Sequence, residues 1–149
     1  MTNNQKHTIL VVDDEAVSRM KLAKLLGQQY RVMTAASGAE AREILRHQDV
    51  SLIIADQRMP GMTGIDLLRE THAKSPDIIC MLMSAVDDVS TFVDAIAKCG
   101  AARVIIKPWD SAKLLEDIRN SIQRYDTLIA TRRSIERLKE TTDGFERAN

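Results

Sequence analysis

The chain has 149 residues, with 21 basic and 21 acidic side chains and a formal net charge of zero. That length predicts one domain, and the charge balance argues against nucleic acid or an anionic membrane surface as the main partner. Aromatic residues make up 3% of the sequence, too few for a stacking platform that binds single-stranded nucleic acid. No apolar run approaches the ~20 residues of a membrane span, and the N-terminus does not resemble a signal peptide. We therefore expect a cytoplasmic protein with no membrane contact and no direct nucleic-acid partner.

Short apolar runs alternate with helical patterns along the first three quarters of the chain. The runs predict five strands, at residues 8–12, 30–34, 51–55, 78–83 and 103–106. Three of them are apolar throughout, as in a parallel sheet that is covered on both faces. Helix start signals lie between the runs, among them a capping box of Ser37 and Glu40 and the acidic pair Asp87 and Asp88. The alternation predicts an α/β fold, a doubly wound five-stranded parallel sheet.

The last quarter of the sequence predicts one long helix. Asp110 or Ser111 can cap its start, and no glycine or proline follows until Gly144. Its apolar residues recur in steps of three and four, a coiled-coil-like seam made of Leu115, Ile118, Ile122, Tyr125 and Ile129. We predict dimerisation through this C-terminal helix on the evidence of that seam.

The seam fails at Arg132 and Glu136, and a shifted stripe of Leu128, Ile135 and Leu138 takes over, as at a stutter. We expect the first part of the helix to pack on the sheet and the part beyond residue 124 to have no sheet left to cover. Two interpretations of that later part stay open. It is a solvated tail, or it pairs with a partner or leads toward an output domain.

Polar side chains stand at the carboxyl ends of four predicted strands. Asp13 and Asp14 follow the first strand, Asp56 the third, Ser84 the fourth and Lys107 the fifth. In an open α/β sheet these ends meet at one edge, where ligands bind. Clustered carboxylates repel one another unless a cation lies among them, and oxygen ligands suit Mg²⁺ better than Zn²⁺. A metal and a lysine around one carboxylate are what a phosphoryl group on that carboxylate requires.

Each of these residues also has an ordinary structural explanation. An acidic pair after a strand is most often a helix cap, and Asp56 precedes a Met-Pro-Gly turn in which aspartate is common. Ser84 fits a cap for the following helix, and Lys107 fits a surface lysine before a break. Their coincidence at four strand ends favours the functional interpretation.

The motifs around these residues resemble the receiver domain of two-component response regulators. The matching segments are ILVVDDE at 9–15, ADQRMPGMTG at 55–64, MSA at 83–85 and IKPW at 106–109. The resemblance covers a domain at residues 6–125 and leaves residues 126–149 as a helical extension, a coiled-coil linker toward an output domain. It implies the flavodoxin-like receiver fold and a regulatory phosphoacceptor rather than an enzyme, apart from weak autophosphatase activity.

The resemblance also implies roles for the site residues. Asp56 would accept a phosphoryl group from a sensor histidine kinase, and Ser84 and Lys107 would contact that group. The result would switch an attached output domain or a downstream signalling protein. Pro108 would follow a cis peptide bond, as the family's proline does at this position.

The implied cofactor is Mg²⁺. Asp14, Asp56 and the backbone carbonyl of Arg58 would be its direct ligands, and Asp13 would act largely through water. Val104 departs from the family, which usually has Tyr, Phe or His three residues before the lysine. That departure keeps open an alternative function, a receiver-like protein-interaction and dimerisation module that works without phosphorylation.

Two enzyme classes fit the sequence less well. A phosphatase of the haloacid-dehalogenase type requires a second aspartate two residues after its nucleophile, where this chain has Arg58. A nucleotide-binding oxidoreductase requires a glycine-rich turn after the first strand, where Asp13 and Asp14 would repel a pyrophosphate. Both are therefore disfavoured.

Overall fold

The computed structural model describes residues 7–85, 89–100 and 103–148. Strands and helices alternate along them, as predicted: β1 Thr8–Val12, α1 Ala16–Leu26, β2 Arg31–Ala35, α2 Gly38–His47, β3 Leu52–Asp56, α3 Gly64–Lys74, β4 Ile79–Ala85, α4 Val89–Cys99, β5 Arg103–Lys107 and α5 Ser111–Ala148. The acidic pair predicted to begin the fourth helix, Asp87 and Asp88, lies outside the described residues.

The five strands form one parallel sheet in the order β2-β1-β3-β4-β5. The chain first adds β2 on one side of β1 and then crosses back to add β3 on the other side. β1 and β3 are therefore neighbours whose following helices leave toward opposite faces, and a crevice opens at their carboxyl ends. This sheet confirms the predicted doubly wound α/β fold.

Two apolar layers cover the sheet, one on each face. One layer joins the strands to α2, α3 and α4, and its fully buried members include Leu10, Ile53, Leu68 and Leu82. The other joins them to α1 and α5 and includes Leu22, Met81, Ile118 and Ile122. Side chains alternate between the layers along each strand, which is why the central strands are apolar at successive positions.

Side-chain caps at the N-termini of α2 and α5 fix the residues at which these helices begin. The Ser37 hydroxyl accepts a hydrogen bond from the Glu40 amide at 3.2 Å, as the capping box predicts. The Glu40 carboxylate accepts from the Ala36 amide at 2.7 Å instead of from the capping residue itself. At α5, the Asp110 carboxylate accepts from the Ala112 amide at 3.2 Å, so Asp110 caps the helix.

α5 is 38 residues long and continues through Gly144. Its first turns pack on the sheet, with Ile118 and Ile122 buried and Tyr125 half-buried. The buried line also includes Leu114, which the predicted spacing omitted. The chain's own sheet therefore covers Leu115, Ile118 and Ile122 of the seam on which dimerisation was predicted. Dimerisation through this helix stays a prediction.

No helix in the described part of the chain is both long enough and apolar enough to cross a membrane. Cys80 and Cys99 are buried free thiols. Burial, with a smaller contribution from Cys99, raises the pKa of Cys80 to about 12. The Cys80 thiol is therefore protonated at neutral pH and is a poor nucleophile.

Candidate functional site

Three carboxylates converge where the sheet order reverses. Asp13, Asp14 and Asp56 each offer one oxygen, and these oxygens lie within 4.8 Å of one another. Asp13 and Asp56 are buried, whereas Asp14 is exposed. The structure thus brings together the acidic residues that the strand ends predicted.

Asp13 is the most constrained member of this acidic cluster. Its Oδ1 accepts a hydrogen bond from the Glu15 amide at 2.9 Å, while its Oδ2 is buried with no hydrogen-bond partner. Burial raises the pKa of Asp13, the Glu15 amide opposes that shift, and the negative charge of Asp56 adds to it. An unpaired buried carboxylate oxygen is costly, and a cation would offset that cost.

The cluster fits a magnesium ion. It offers only carboxylate oxygens, which are the ligands that hard divalent cations prefer. The free oxygen of Asp13 and the exposed carboxylate of Asp14 both belong to this cluster. The backbone carbonyl of Arg58, two residues after Asp56, stays a predicted ligand.

Lys107 faces the same cluster from β5. Its Nζ lies 3.1 Å from Oδ2 of Asp56, whose side chain is 8% exposed. The positive charge of Lys107 also acts to lower the pKa of Asp13. The Lys107–Pro108 peptide bond is cis, as the resemblance implied.

The segment that follows Asp56 is held close to the end of β3. A Cβ added at Gly64 would lie 2.5 Å from the carbonyl oxygen of Asp56 and 2.8 Å from Leu82, so only glycine fits there. The Gly64 amide donates to the Gln57 carbonyl at 3.1 Å, and the Gln57 side-chain oxygen accepts from Ile65 at 2.9 Å. Gln57 is a site residue that the sequence pattern did not predict, and the only signal for this close approach was a glycine at a helix start.

Ser84 lies at the carboxyl end of β4 and is buried. Met83 and Ala85 flank Ser84 in the sequence. In the sheet, Met83 pairs with Asp56 on β3 and Ala85 pairs with Lys107 on β5. The predicted hydroxyl therefore stands between the strands that carry the acid and the lysine. Its contact with a phosphoryl group stays a prediction.

Two further residues shape the site's surroundings. Arg19, which was not among the predicted site residues, donates through Nη1 to the Asp13 carbonyl at 2.7 Å and holds the end of β1. Val104 is half-buried against the layer that contains α2, α3 and α4. The position that carries an aromatic residue in most of the family is thus filled here by a small apolar side chain.

Comparisons with known proteins identify the family. Residues 9–119 match the family described as the response regulator receiver domain. The chain belongs to this family. This receiver is similar in structure to the signal receiver domain of an HD domain-containing protein from Pseudomonas fluorescens Pf-5, with a TM-score of 0.78 and 28% identity. The superposition covers 81% of this chain and 98% of that one. It superposes with a TM-score of 0.81 on an adenylate cyclase structure from Rhodopirellula baltica, at 27% identity, over 87% and 97% of the two chains.

Curated relatives of this receiver are longer proteins. The hydrogenase transcriptional regulatory protein HoxA of Cupriavidus necator is 36% identical over 121 residues, which are 81% of this chain and 25% of HoxA. The transcriptional regulatory protein ZraR of Klebsiella oxytoca is 41% identical over 107 residues, 71% of this chain and 24% of ZraR. The receiver therefore spans about a quarter of the length of these relatives.

Proposed function

We propose that this receiver accepts a phosphoryl group on Asp56 in a Mg²⁺-dependent reaction and thereby switches a partner protein. The observation that carries the proposal is the setting of Asp56. Lys107 Nζ lies 3.1 Å from one of its oxygens, and the acidic cluster beside it contains a buried oxygen of Asp13 with no partner. Asp56 thus lies between a cation and a set of oxygen ligands.

The proposed reaction is an in-line transfer. A carboxylate oxygen of Asp56 attacks the phosphorus, and the bond from phosphorus to the donor breaks, so that its electron pair leaves with the donor. Lys107 offsets the negative charge on the transferred oxygens. Mg²⁺, when bound, supplies further positive charge to the phosphoryl oxygens. Asp14, Asp56 and the backbone carbonyl of Arg58 would hold that ion, with Asp13 acting largely through water.

The phosphorylated state differs from the free state mainly in charge. An aspartyl phosphate carries about −1.5 to −2 charge next to Lys107, where the free carboxylate of Asp56 carries about −1. The Ser84 hydroxyl donates to one of the new oxygens and draws the end of β4 toward the site, which shifts the population between two conformations. Between these two conformations, the small side chain of Val104 alters the surrounding packing less than an aromatic side chain at the same position would.

The proposed phosphoryl donor is a histidine kinase. Val17 and Met20 on α1, which begins two residues after Asp14, are 81% and 68% exposed. The Lys21 ammonium lies 5.5 Å from the ring centroid of Trp109, in the segment after β5. An apolar surface therefore adjoins the acidic site, where a protein donor would dock.

The proposed targets are an output domain joined through α5 or a separate signalling protein. HoxA and ZraR are named as transcriptional regulators, and each is about four times as long as the segment that matches this receiver. A second copy of the chain, bound through the C-terminal helix, is a further proposed partner.

Intact mass spectrometry after incubation with acetyl phosphate and Mg²⁺ tests the phosphoacceptor. We expect the mass to rise by one phosphoryl group in the wild type and in Asp49→Asn, a control with an exposed carboxylate before β3. We expect no rise in Asp56→Asn or when a chelator is present. A gain that persists in Asp56→Asn would exclude Asp56 as acceptor, and no gain in any protein would favour the phosphorylation-independent interaction module.

A further inference from the structure

Gln57, the residue that follows Asp56, joins the end of β3 to both β4 and α3. Its backbone amide donates to the Met83 carbonyl at 2.9 Å, which continues the pairing of β3 with β4. Its carbonyl accepts from the Gly64 amide at 3.1 Å, and its side-chain Oε1 accepts from the Ile65 amide at 2.9 Å. The residue next to the proposed phosphoacceptor is therefore bonded to two other elements at once.

Two of these bonds serve the start of α3. The first amides of a helix have no partner inside the helix, so other groups must accept from them. Gln57 accepts from those of Gly64 and Ile65, and the Thr63 hydroxyl accepts from that of Asp66 at 3.2 Å. Ile65 is buried, and an amide that loses its acceptor in a buried residue is costly. The side chain of Gln57 thus supplies an acceptor that this helix start requires.

The same bonds close the segment of residues 58–63 that links β3 to α3. Its two ends meet where the Gly64 amide donates to the Gln57 carbonyl. Between these ends, Met59 is buried in the layer that contains α2, α3 and α4, and Met62 packs against the start of α2. The segment is therefore anchored at both ends and at two points between them.

Arg58 is the first residue of this segment, and its side chain is exposed. Packing of that side chain does not fix the backbone of Arg58, so the position of this backbone depends on the residues on either side. Met59 holds it from one side by burial, and Gln57 holds it from the other side by its hydrogen bonds. Loss of the bond between Gln57 and Ile65 would weaken one of these two anchors.

We infer that Gln57 is a positioning residue for the magnesium site, and that its side-chain bond to Ile65 sets the place of the Arg58 carbonyl. The inference rests on the proposed function, in which that carbonyl is a ligand of Mg²⁺. Gln57 would act through the backbone of the next residue and not by contact with the ion. Its amide oxygen is the part that matters, because that oxygen is what the Ile65 amide binds.

Mg²⁺ is demanding about the placement of its ligands. It requires near-octahedral geometry at short distances, so a small displacement of one oxygen lowers its affinity. Groups that orient a ligand without touching the metal typically change metal affinity by about 10- to 100-fold. A backbone carbonyl has no side-chain rotamers with which to follow the ion, so the support of the surrounding chain decides where it points. The bond between Gln57 and Ile65 is part of that support.

Three variants separate this role from a contribution to stability alone. Gln57→Met has the length of glutamine but lacks the amide oxygen, whereas Gln57→Glu keeps an acceptor oxygen at the same reach. The matched control is Ser37→Ala. The Ser37 hydroxyl accepts from the Glu40 amide at 3.2 Å at the start of α2, so this variant loses a bond of the same kind at a helix that carries no predicted site residue.

Calorimetric titration of the full chain with MgCl₂ measures the affinity for the ion. We expect the dissociation constant to be about tenfold higher in Gln57→Met than in the wild type and unchanged in Ser37→Ala. Gln57→Glu should bind at least as tightly as the wild type, because it keeps the acceptor and adds a negative charge. Equal affinities of the wild type and Gln57→Met would overturn the inference, as would a Gln57→Glu that binds as weakly as Gln57→Met. A wild type that binds no Mg²⁺ would overturn the proposed ion site and the inference together.

Two measurements without the ion test the bond itself. Hydrogen exchange at the Ile65 amide should be about tenfold faster in Gln57→Met than in the wild type and in Gln57→Glu. Thermal unfolding in chelator should show midpoints about 3–5 °C lower in both Gln57→Met and Ser37→Ala, since each loses one acceptor at a helix start. An Ile65 amide that exchanges at the same rate in Gln57→Met would overturn the inference.

Phosphorylation by acetyl phosphate separates the placement of the ion from the transfer itself. In Gln57→Met, the Mg²⁺ concentration that gives half of the maximal rate should rise about tenfold, while the rate at saturating Mg²⁺ stays within about twofold of the wild type. A rate that stays low at saturating Mg²⁺ would show that Gln57 acts on more than the ion and would overturn the inference. The titration with MgCl₂ requires no phosphoryl transfer, so a failure of Asp56 as acceptor and a failure of Gln57 as positioning residue are separate results.

Discussion

The two ends of the same sheet both place polar residues against the strands. At the carboxyl edge, Asp13 and Asp56 lie in a cluster of like charges, and one oxygen of Asp13 has no partner. At the amino edge, His7 and Ser51 directly precede β1 and β3, and they hydrogen-bond to each other. Asp77, just before β4, pairs with Arg132. Polar side chains at the carboxyl edge thus include like charges and an oxygen without a hydrogen-bond partner, whereas those at the amino edge bond to one another.

This difference separates a binding site from a structural contact. A buried charge without a partner lowers the stability of the fold, so it is expected where a ligand supplies the missing partner. A satisfied polar cluster stabilises the fold and needs no ligand. Substitutions at the carboxyl edge should therefore alter phosphorylation and metal binding, and those at the amino edge should alter stability and the placement of α5.

Lys107→Gln should have the largest effect. It removes the ammonium that lies 3.1 Å from Asp56, and we expect the rate of phosphorylation by acetyl phosphate to fall about a hundredfold. The control is Lys113→Gln, an exposed lysine in the first turn of α5. Equal rates in the two variants, measured by intact mass over time, would show that Lys107 does not act on the transferred group.

His7→Ala should lower the free energy of unfolding by about 2–3 kcal/mol, because it removes a buried ring that hydrogen-bonds on both sides. Phosphorylation should be unchanged, since the ring lies at the opposite edge. His47→Ala serves as the control. That histidine contacts Glu43 at 2.9 Å on an exposed surface, and its loss should cost less than about 0.5 kcal/mol. Urea unfolding compares the two variants, and equal losses would contradict a stabilising polar cluster at the amino edge.

Asp13→Asn should raise the free energy of unfolding by about 1–2 kcal/mol in chelator, because a neutral amide replaces a buried carboxylate whose Oδ2 has no hydrogen-bond partner and which the charge of Asp56 repels. Burial raises the pKa of Asp13 in the folded protein. Its favourable contribution to stability is therefore complete below its ordinary pKa of 3.8 and is lost as pH rises through the raised value. The advantage of the variant should accordingly disappear in acid.

The same variant should lose the stabilisation that Mg²⁺ confers on the wild type, which thermal unfolding at increasing Mg²⁺ concentration measures. A destabilised Asp13→Asn that still responds to Mg²⁺ would mean that the carboxylate is structural. In that case the contrast between the two edges would not hold.

Asp77→Asn should have the smallest effect. The pair that it forms with Arg132 is about half-exposed, and such pairs contribute about 0–1 kcal/mol. Hydrogen exchange should show faster opening of α5 around residues 126–132, with the receiver core unchanged. No change in exchange would mean that the contact of His7 with Asp126 is sufficient to hold the helix.

The alternation of strands and helices followed directly from the sequence. Both faces of the central strands are buried, so their apolar runs stand out without any knowledge of their neighbours. The convergence of Asp13, Asp14, Asp56 and Lys107 followed too, because the carboxyl ends of parallel strands must meet at one edge. The amino-acid sequence alone therefore determined the fold class and the acidic site.

The contacts of α5 were decided only by the tertiary structure. Periodicity shows that a helix has an apolar face, but it does not show what covers that face. Leu115, Ile118 and Ile122 of the predicted dimer seam proved to pack on the chain's own sheet. The cluster of His7, Ser51 and Asp126 joins residues 44 and 119 positions apart. Local sequence carries no signal for such a meeting, because it depends on where β1, β3 and a long helix lie relative to one another once the sheet has formed.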